Sequence, residues 1–163
     1  MALGDNTTSV ARNASGIGRK PYFIQHELDF AQAVTDKGTA LAAADVIPGL
    51  TVPTNSVILA AGFEVTAAHT GTSTDCALDM GVTGGDVDNF VDGFDFDAAS
   101  VGAYSAVNAG STVVVSAEDT IDILIQAQTG TTTGGKIRMY AVCMDIDDIG
   151  SMAADEVDRD TLA

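Results

Sequence analysis

Hydrophobic and polar positions alternate along most of the chain from Tyr22 to Ile146, and a period of two residues predicts β-strands. The first predicted strand has one face made of Tyr22, Ile24, His26, Leu28 and Phe30. The clearest alternation comes later in the chain and places on one face Val57, Leu59, Ala61, Phe63 and Val65. These two patterns predict strands with one buried and one solvent-facing side.

Five further segments complete the strand prediction. Asp45–Val52 is interrupted by Pro48–Gly49, so it is predicted to be an edge strand or to carry a bulge, because proline cannot donate a ladder hydrogen bond. The next three segments are marked by Cys76, Leu78 and Met80, by Thr112–Val115, and by Ile121, Ile123 and Ile125. The last segment, Ile137–Ile146, is apolar on both faces, which predicts a strand buried on both sides.

Seven to eight short strands separated by turn residues predict an all-β fold, a single β-sandwich or jelly-roll-like domain. Clusters of Gly and Thr at 70–74 and 129–135 predict hairpin turns. The unpatterned residues 1–20 predict an extended N-terminal arm. Residues 21–149 then form the β-sandwich body, and residues 150–163 form an acidic C-terminal tail.

The acidity of the chain limits its partners. Its 163 residues carry a net charge of −16, which repels nucleic-acid phosphates and anionic lipids, so we expect neither nucleic acid nor a membrane as partner. Most of the acidic residues are Asp, a residue of turns and strand ends, which again favours an all-β fold.

The start of the chain and its two cysteines indicate the compartment in which the protein folds. Met1–Asn6 lacks the basic start and apolar core of a signal peptide. Cys76 and Cys143 lie in apolar alternating segments, which predicts buried free thiols rather than a disulfide or a metal pair. We therefore expect the protein to be made and folded in a cytoplasm.

From Gly38 to Gly135 the chain has no Lys or Arg, and its acids are densest in the segment Gly84–Asp97. Oxygen-rich loops of this kind bind calcium. Counted as an EF-hand loop from Asp86, however, the segment has Val91 where the sharp bend requires glycine, and it ends on Asp97 where a bidentate Glu is needed. An EF-hand is excluded, while a looser calcium site over Asp86–Asp97 stays open.

Aromatic residues interleave with these acids. Phe90, Phe94, Phe96 and Tyr104 lie close together in the sequence, which predicts a segment held down by its rings with its carboxylates outward. The rings either pack on the domain's own core or contact a neighbouring subunit. The arm likewise is either simply exposed or binds an acidic neighbour. The candidate assembly contacts are Arg12, Arg19, Lys20, Phe90, Phe94 and Phe96.

No catalytic constellation is evident. His26 and His69 have no Cys, His or carboxylate at metal-ligand spacing. Neither a nucleophile motif with a base in reach nor a phosphate-binding glycine loop is present. We therefore predict that the protein is not an enzyme and uses no catalytic metal or other cofactor.

Two segments carry a family resemblance. Ala44–Val65 resembles a short strand, turn and valine-rich strand of small virion proteins from tailed bacteriophages, notably marine and cyanobacterial ones. Leu78–Gly81 followed by Asp86–Gly93 resembles a second stretch of the same proteins. The order of segments matches over about residues 20–146, although Pro48–Gly49 departs from the pattern. The resemblance carries over no catalytic or metal-binding residue.

What the resemblance implies is a capsid decoration, or cement, protein. Such proteins are commonly β-rich trimers on the outer capsid surface, where they tie capsomers together. The implied partners are the major capsid protein and further copies of the chain in a homotrimer. The implied location is the virion, after assembly in the host cytoplasm.

Two other functions remain as hypotheses. A β-sandwich binding module, such as a phage fibre, knob or adhesin domain, would recognise a host surface, with calcium organising residues 84–97. The absence of Trp counts against a carbohydrate platform. A DNA-mimicking inhibitor fits the charge, but it fits the many apolar strands less well.

Overall fold

The computed structural model describes residues 21–106 and 112–146, so the predicted arm and the predicted tail lie outside the described residues. Within them the chain forms eight strands and one helix: β1 (Tyr22–Asp29), α1 (Phe30–Lys37), β2 (Val46–Val52), β3 (Ser56–Gly71), β4 (Asp75–Val82), β5 (Val91–Asp95), β6 (Val113–Val115), β7 (Asp119–Thr129) and β8 (Thr132–Asp145).

The strands form two four-stranded antiparallel sheets, with orders β1-β8-β3-β6 and β2-β7-β4-β5. Each connection passes from one sheet to the other, apart from that between β4 and β5, which are neighbours in one sheet. This order is that of an eight-stranded jelly roll. The prediction of an all-β sandwich with jelly-roll character is therefore confirmed.

The two Gly- and Thr-rich turns do not form the hairpins that the sequence predicts. The first turn joins β3 to β4 and the second joins β7 to β8. In each pair the two strands belong to different sheets. The turns lie side by side, since Thr72 N donates to Thr131 O at 2.9 Å and the two Oγ1 atoms are also 2.9 Å apart. The strands on either side of each turn bury their apolar faces in one shared core. Each turn therefore crosses the end of that core from one sheet to the other, and does not fold back within a sheet.

A short helix replaces the predicted end of the first strand. Its N-cap is Asp29, whose carboxylate accepts a hydrogen bond from Ala31 N at 2.9 Å. Gly38 ends the helix with a φ of 77°, a conformation that glycine adopts without strain. Phe30 is fully buried, as its pattern predicts, but it is the first residue of α1 and not part of the strand.

Among the register shifts of the strands, one in β2 and one in β3 bear on the sequence predictions. β2 is an edge strand whose register with β7 shifts between Pro48 and Leu50, as the sequence predicts. In β3 the register with β8 shifts between Ile58 and Ala60. This second bulge turns Leu59 outward, where it is 40% exposed, and leaves Ile58 buried instead. The predicted inward position of Leu59 is therefore wrong.

The core lies between the two sheets and is closed at one end by α1. β8 is the central contributor, since its residues Ile137, Met139, Ala141 and Cys143 have no exposed surface. On its other face Tyr140, Val142 and Met144 are only half-buried, so this strand is not buried on both sides as predicted. Cys76 and Cys143 are free and buried, which confirms the prediction for the thiols.

Candidate assembly surfaces

The acidic segment is fixed to the body through its main chain. Phe90 N donates to Met80 O at 2.9 Å, and Phe96 N donates to Cys76 O at 2.8 Å. The amide of Cys76 in turn donates to the Asp97 carboxylate. These bonds fix the middle and the C-terminal end of the segment to β4.

Two of the predicted contact residues are used within the chain. Phe90 and Phe96 have no exposed surface. The Phe96 ring packs against Phe30, with ring centres 4.8 Å apart, and edge-on against His69 at 5.5 Å. For these two rings the structure matches the core-packing alternative of the sequence analysis.

Phe94 occupies a different position, at the border between the core and the surface. It is half-buried, and its ring meets Phe63 edge to face at 4.9 Å, which closes the gap between β3 and β5 at one side of the sandwich. Beside it lies a shallow groove of about 460 Å³, here called the edge groove. It is lined by Val91–Asp95, Ala98, Ala99, Ala103 and Ala106.

The far wall of the edge groove is a segment that extends the first sheet. Val65 N donates to Ala103 O at 2.8 Å, and Ser105 N donates to Phe63 O at 2.9 Å. The Ser105 hydroxyl accepts a hydrogen bond from Phe63 N at 3.0 Å. Residues 102–105 therefore run along the free edge of β3 and leave Tyr104 64% exposed.

The outer surface of the sheet β1-β8-β3-β6, together with residues 102–105, is rich in exposed apolar side chains, and we call it the aromatic face. Phe23, 58% exposed, stacks on the Tyr140 ring, with centres 6.1 Å apart and planes 14° apart. Burial raises the pKa of the Tyr140 hydroxyl, and the neighbouring Tyr104 adds to the shift. The other members of the face are Leu59, Tyr104, Val114, Val142 and Met144.

The charges on and beside the aromatic face are paired. Lys136 Nζ lies 3.0 Å from Asp29 Oδ2 and 3.5 Å from Glu27 Oε1. Arg138 Nη1 lies 3.5 Å from Glu64 Oε2. In the described part of the chain the one other cation is Lys37, which pairs with Asp45.

The opposite surface, made by β2, β7, β4 and β5, contains acids but no Lys or Arg, and we call it the acidic face. Its carboxylates are Asp75, Asp79, Asp92, Asp95 and Asp122. Asp79 and Asp122 are buried, and burial raises the pKa of both. Asp79 Oδ1 accepts from Gly93 N at 2.8 Å, whereas Asp122 accepts from the Thr83 hydroxyl.

The acids of the turn before β5 do not form a ready metal cage. The protonated Asp88 carboxyl can donate a hydrogen bond to the Asp86 carboxylate, which raises the pKa of the exposed Asp88, so these two side chains are neighbours. No group of three or more His, Cys, Asp or Glu is placed to hold a metal ion within residues 21–106 and 112–146. A looser calcium site remains an untested prediction.

The histidines sit in structural surroundings. His69 Nε2 lies 3.0 Å from the Thr132 hydroxyl, and burial lowers the pKa of this imidazole. Burial also lowers the pKa of His26. The absence of enzymatic activity remains a prediction.

The remaining predicted contacts, Arg12, Arg19 and Lys20, lie outside the described residues.

Sequence reasoning missed the aromatic face. A signal for it was present at Phe23, a large ring between Tyr22 and Ile24, at a position that the alternation assigns to solvent. Over the described residues, no helix has the length and apolar character needed to span a membrane.

Comparison with solved structures identifies the same fold in phage capsids. A chain in the structure of the cyanophage Pam1 capsid asymmetric unit has a TM-score of 0.58 and 15% identity, covering 85% of this chain and 94% of that chain. A chain in the capsid of Ralstonia phage GP4 has a TM-score of 0.57 and 18% identity, covering 90% and 95%. No protein-family model matches the sequence, and neither does any curated protein. The expected resemblance to β-rich proteins of phage virions is confirmed at the level of the fold.

Proposed function

We propose that the chain is a structural protein of a tailed-phage virion that decorates the outer capsid surface and stabilises contacts between capsomers. The observation that carries the proposal is the fold, shared almost end to end with chains of two phage capsid structures. A fold alone hosts many functions. The sequence resemblance in Ala44–Val65 and Asp86–Gly93 supports the same choice independently.

The contrast between the two faces supports an orientation on the capsid. Burying the aromatic face removes exposed apolar surface such as Phe23 from water, which favours association. Burying the acidic face would instead strip water from exposed carboxylates such as Asp75, with no Lys or Arg on that face to compensate. The aromatic face therefore lies against the capsid, and the acidic face points to solvent.

An outward acidic face has a use on a virion. Carboxylates on every decorating copy give the particle a strongly negative exterior, which repels other virions and nucleic acid released from the host. The partners under this proposal are the major capsid protein and other copies of the chain. Nucleic acid and membranes are not among them.

Co-sedimentation of the purified protein with capsids that lack it tests the proposal. The F23S/Y104S variant removes two exposed rings from the aromatic face, and we expect its capsid affinity to fall about tenfold or more. The matched control is V46S/V87S, which removes two exposed apolar side chains outside that face and should stay within about twofold of the original. Thermal unfolding of each variant confirms that the body is folded.

The possible results separate the two parts of the proposal. A protein that does not bind capsids at all overturns the decoration function. Equal capsid affinity of F23S/Y104S and the unmodified protein overturns the orientation. Deletion of residues 1–20 should weaken capsid binding while leaving the body folded, and full-strength binding without the arm would contradict a role for the arm.

A further inference from the structure

The edge groove lies where both sheets of the sandwich end. β5 is the last strand of its sheet, and the side turned away from β4 has no strand partner within the described residues. Residues 102–105 form the corresponding end of the other sheet. Four alanines line the groove, which therefore suits an extended chain with small side chains.

The charge of the groove has no balancing cation in the described chain. Asp92 and Asp95 are exposed and lie in its lining. Asp92 accepts a hydrogen bond from the Gln126 amide at 3.3 Å, and Asp95 accepts one from Ala98 N at 3.1 Å. Neither is a partner of Lys37, Lys136 or Arg138, which pair with other acids.

The complementary charge is found in the sequence of the arm. Residues 1–20 contain Arg12, Arg19 and Lys20 but a single acid, Asp5, and most of their other side chains are small or polar. We propose that the arm of one copy lies in the edge groove of a neighbouring copy, with its cations beside Asp92 and Asp95.

The position of the arm favours a neighbouring copy over the arm's own groove. The arm joins the body at β1, which stacks near β2 at one side of the sandwich, whereas the groove opens beside β5 at the other side. An extended arm of 20 residues reaches about 66 Å, and a sheet of four strands is about 15–20 Å wide. An arm leaving one side thus reaches the facing groove of the next copy without running around its own body.

A contact of this kind joins two different surfaces of identical chains. Repeated head to tail, it closes into a ring when the rotation between copies allows it. A ring of three fits the homotrimer that the sequence resemblance implies. The arm and groove would then hold the ring together, and the aromatic face would be left available for the capsid.

Sedimentation velocity of the full chain tests the inference. We expect the unmodified protein to form a closed oligomer whose association weakens with added salt. The D92K/D95K variant and the R12E/R19E/K20E variant should each associate about tenfold more weakly or worse, and combining both sets should restore association. The matched control D75K/E118K makes the same charge change at exposed positions outside the groove and should stay within about twofold. The inference is overturned if the unmodified protein is a monomer. It is also overturned if a chain lacking residues 1–20 associates as strongly as the full chain.

A mixing experiment separates a neighbouring copy from the arm's own groove. Chains without residues 1–20 keep the groove, and D92K/D95K chains keep the arm, so neither forms the contact alone. Mixed together, they should form a heterodimer held by one arm in one groove. If no heterodimer forms, the arm binds its own body and the inference is wrong.

Capsid binding, measured on the same preparations, keeps this inference distinct from the proposed function. An intact ring that does not bind capsids overturns the decoration function and leaves the arm contact standing. Monomers that bind capsids through the aromatic face overturn the arm contact and leave the decoration function standing.

Discussion

Gly81 lies directly against the carbonyl oxygen of Asp86: a β-carbon at Gly81 would be 2.0 Å from that oxygen. The turn after β4 therefore folds back onto its own strand, and Val82 N donates to Asp86 O at 3.3 Å. Main-chain contacts thus position the acidic segment, and its carboxylates lie on the outside of a turn that is already packed.

Replacing Gly81 by Ala should destabilise the body by about 1–3 kcal/mol, because the added methyl group forces the backbone of the turn away. Urea unfolding measures the loss. Gly134→Ala is the matched control, since its nearest contact is the Thr70 hydroxyl at 2.7 Å, which can rotate aside. If Gly81→Ala is as stable as the original, the turn does not sit on β4 as described.

Calcium should leave the melting temperature unchanged. The turn is held by main-chain bonds, and no three carboxylates of the described residues are placed together to hold a metal ion, so millimolar calcium and EDTA should give the same unfolding curve. An upward shift in calcium that disappears in a D86N/D88N variant would contradict this prediction. It would favour the alternative of a calcium-assisted binding module.

Asp122→Asn should raise the melting temperature at pH 7. Burial raises the folded-state pKa of Asp122, so its carboxyl favours folding when protonated and this contribution is lost as pH rises through that pKa. The Asn side chain removes the cost of the buried charge at neutral pH, and the advantage should vanish near pH 3, where the acid is protonated in both states. Exposed Asp75→Asn is the control and should change little at either pH. A lower melting temperature for Asp122→Asn at pH 7 alone would show that the ionised carboxylate stabilises the fold.

The two thiols should not react while the protein is folded. Burial raises the pKa of Cys143 to about 11 and also raises that of Cys76. At pH 8 about one Cys143 thiol in a thousand is ionised, and neither sulfur is exposed. A thiol reagent such as DTNB should detect no thiol in buffer and two in concentrated urea. Rapid reaction of the native protein would mean that the core opens readily.

Alternation in the sequence predicts the strands well because each strand has one buried face, so Phe63 and Val65 or Ile121 and Ile123 must repeat every second residue. It fails where the period itself changes. At Leu59 the bulge adds one residue, and the run of apolar side chains conceals the shift. At Phe30 the capping signal of Asp29 was available, but an apolar residue that continues the alternation outweighs a single cap.

The candidate surfaces could not be predicted from the two-residue alternation of apolar and polar positions. Which face of a sheet meets the other sheet follows from the pattern, but which exposed faces come together does not. Phe23 and Tyr140 are far apart in the sequence and meet only because β1 pairs with β8. The edge groove likewise depends on residues 98–106, which follow no strand pattern and take their position from hydrogen bonds to β3.

The pairing of β1 with β8 also determines when the protein can fold. Tyr22 lies opposite Cys143, and the Tyr22 hydroxyl donates to Asp145 Oδ1 at 3.0 Å. A nascent chain emerging from the ribosome therefore lacks the central strand of its first sheet until nearly the whole body has been synthesised. Contacts so distant in sequence give slow folding. Until β8 arrives, the exposed edges of β1 and β3 depend on the high negative charge of the chain to keep newly made copies apart.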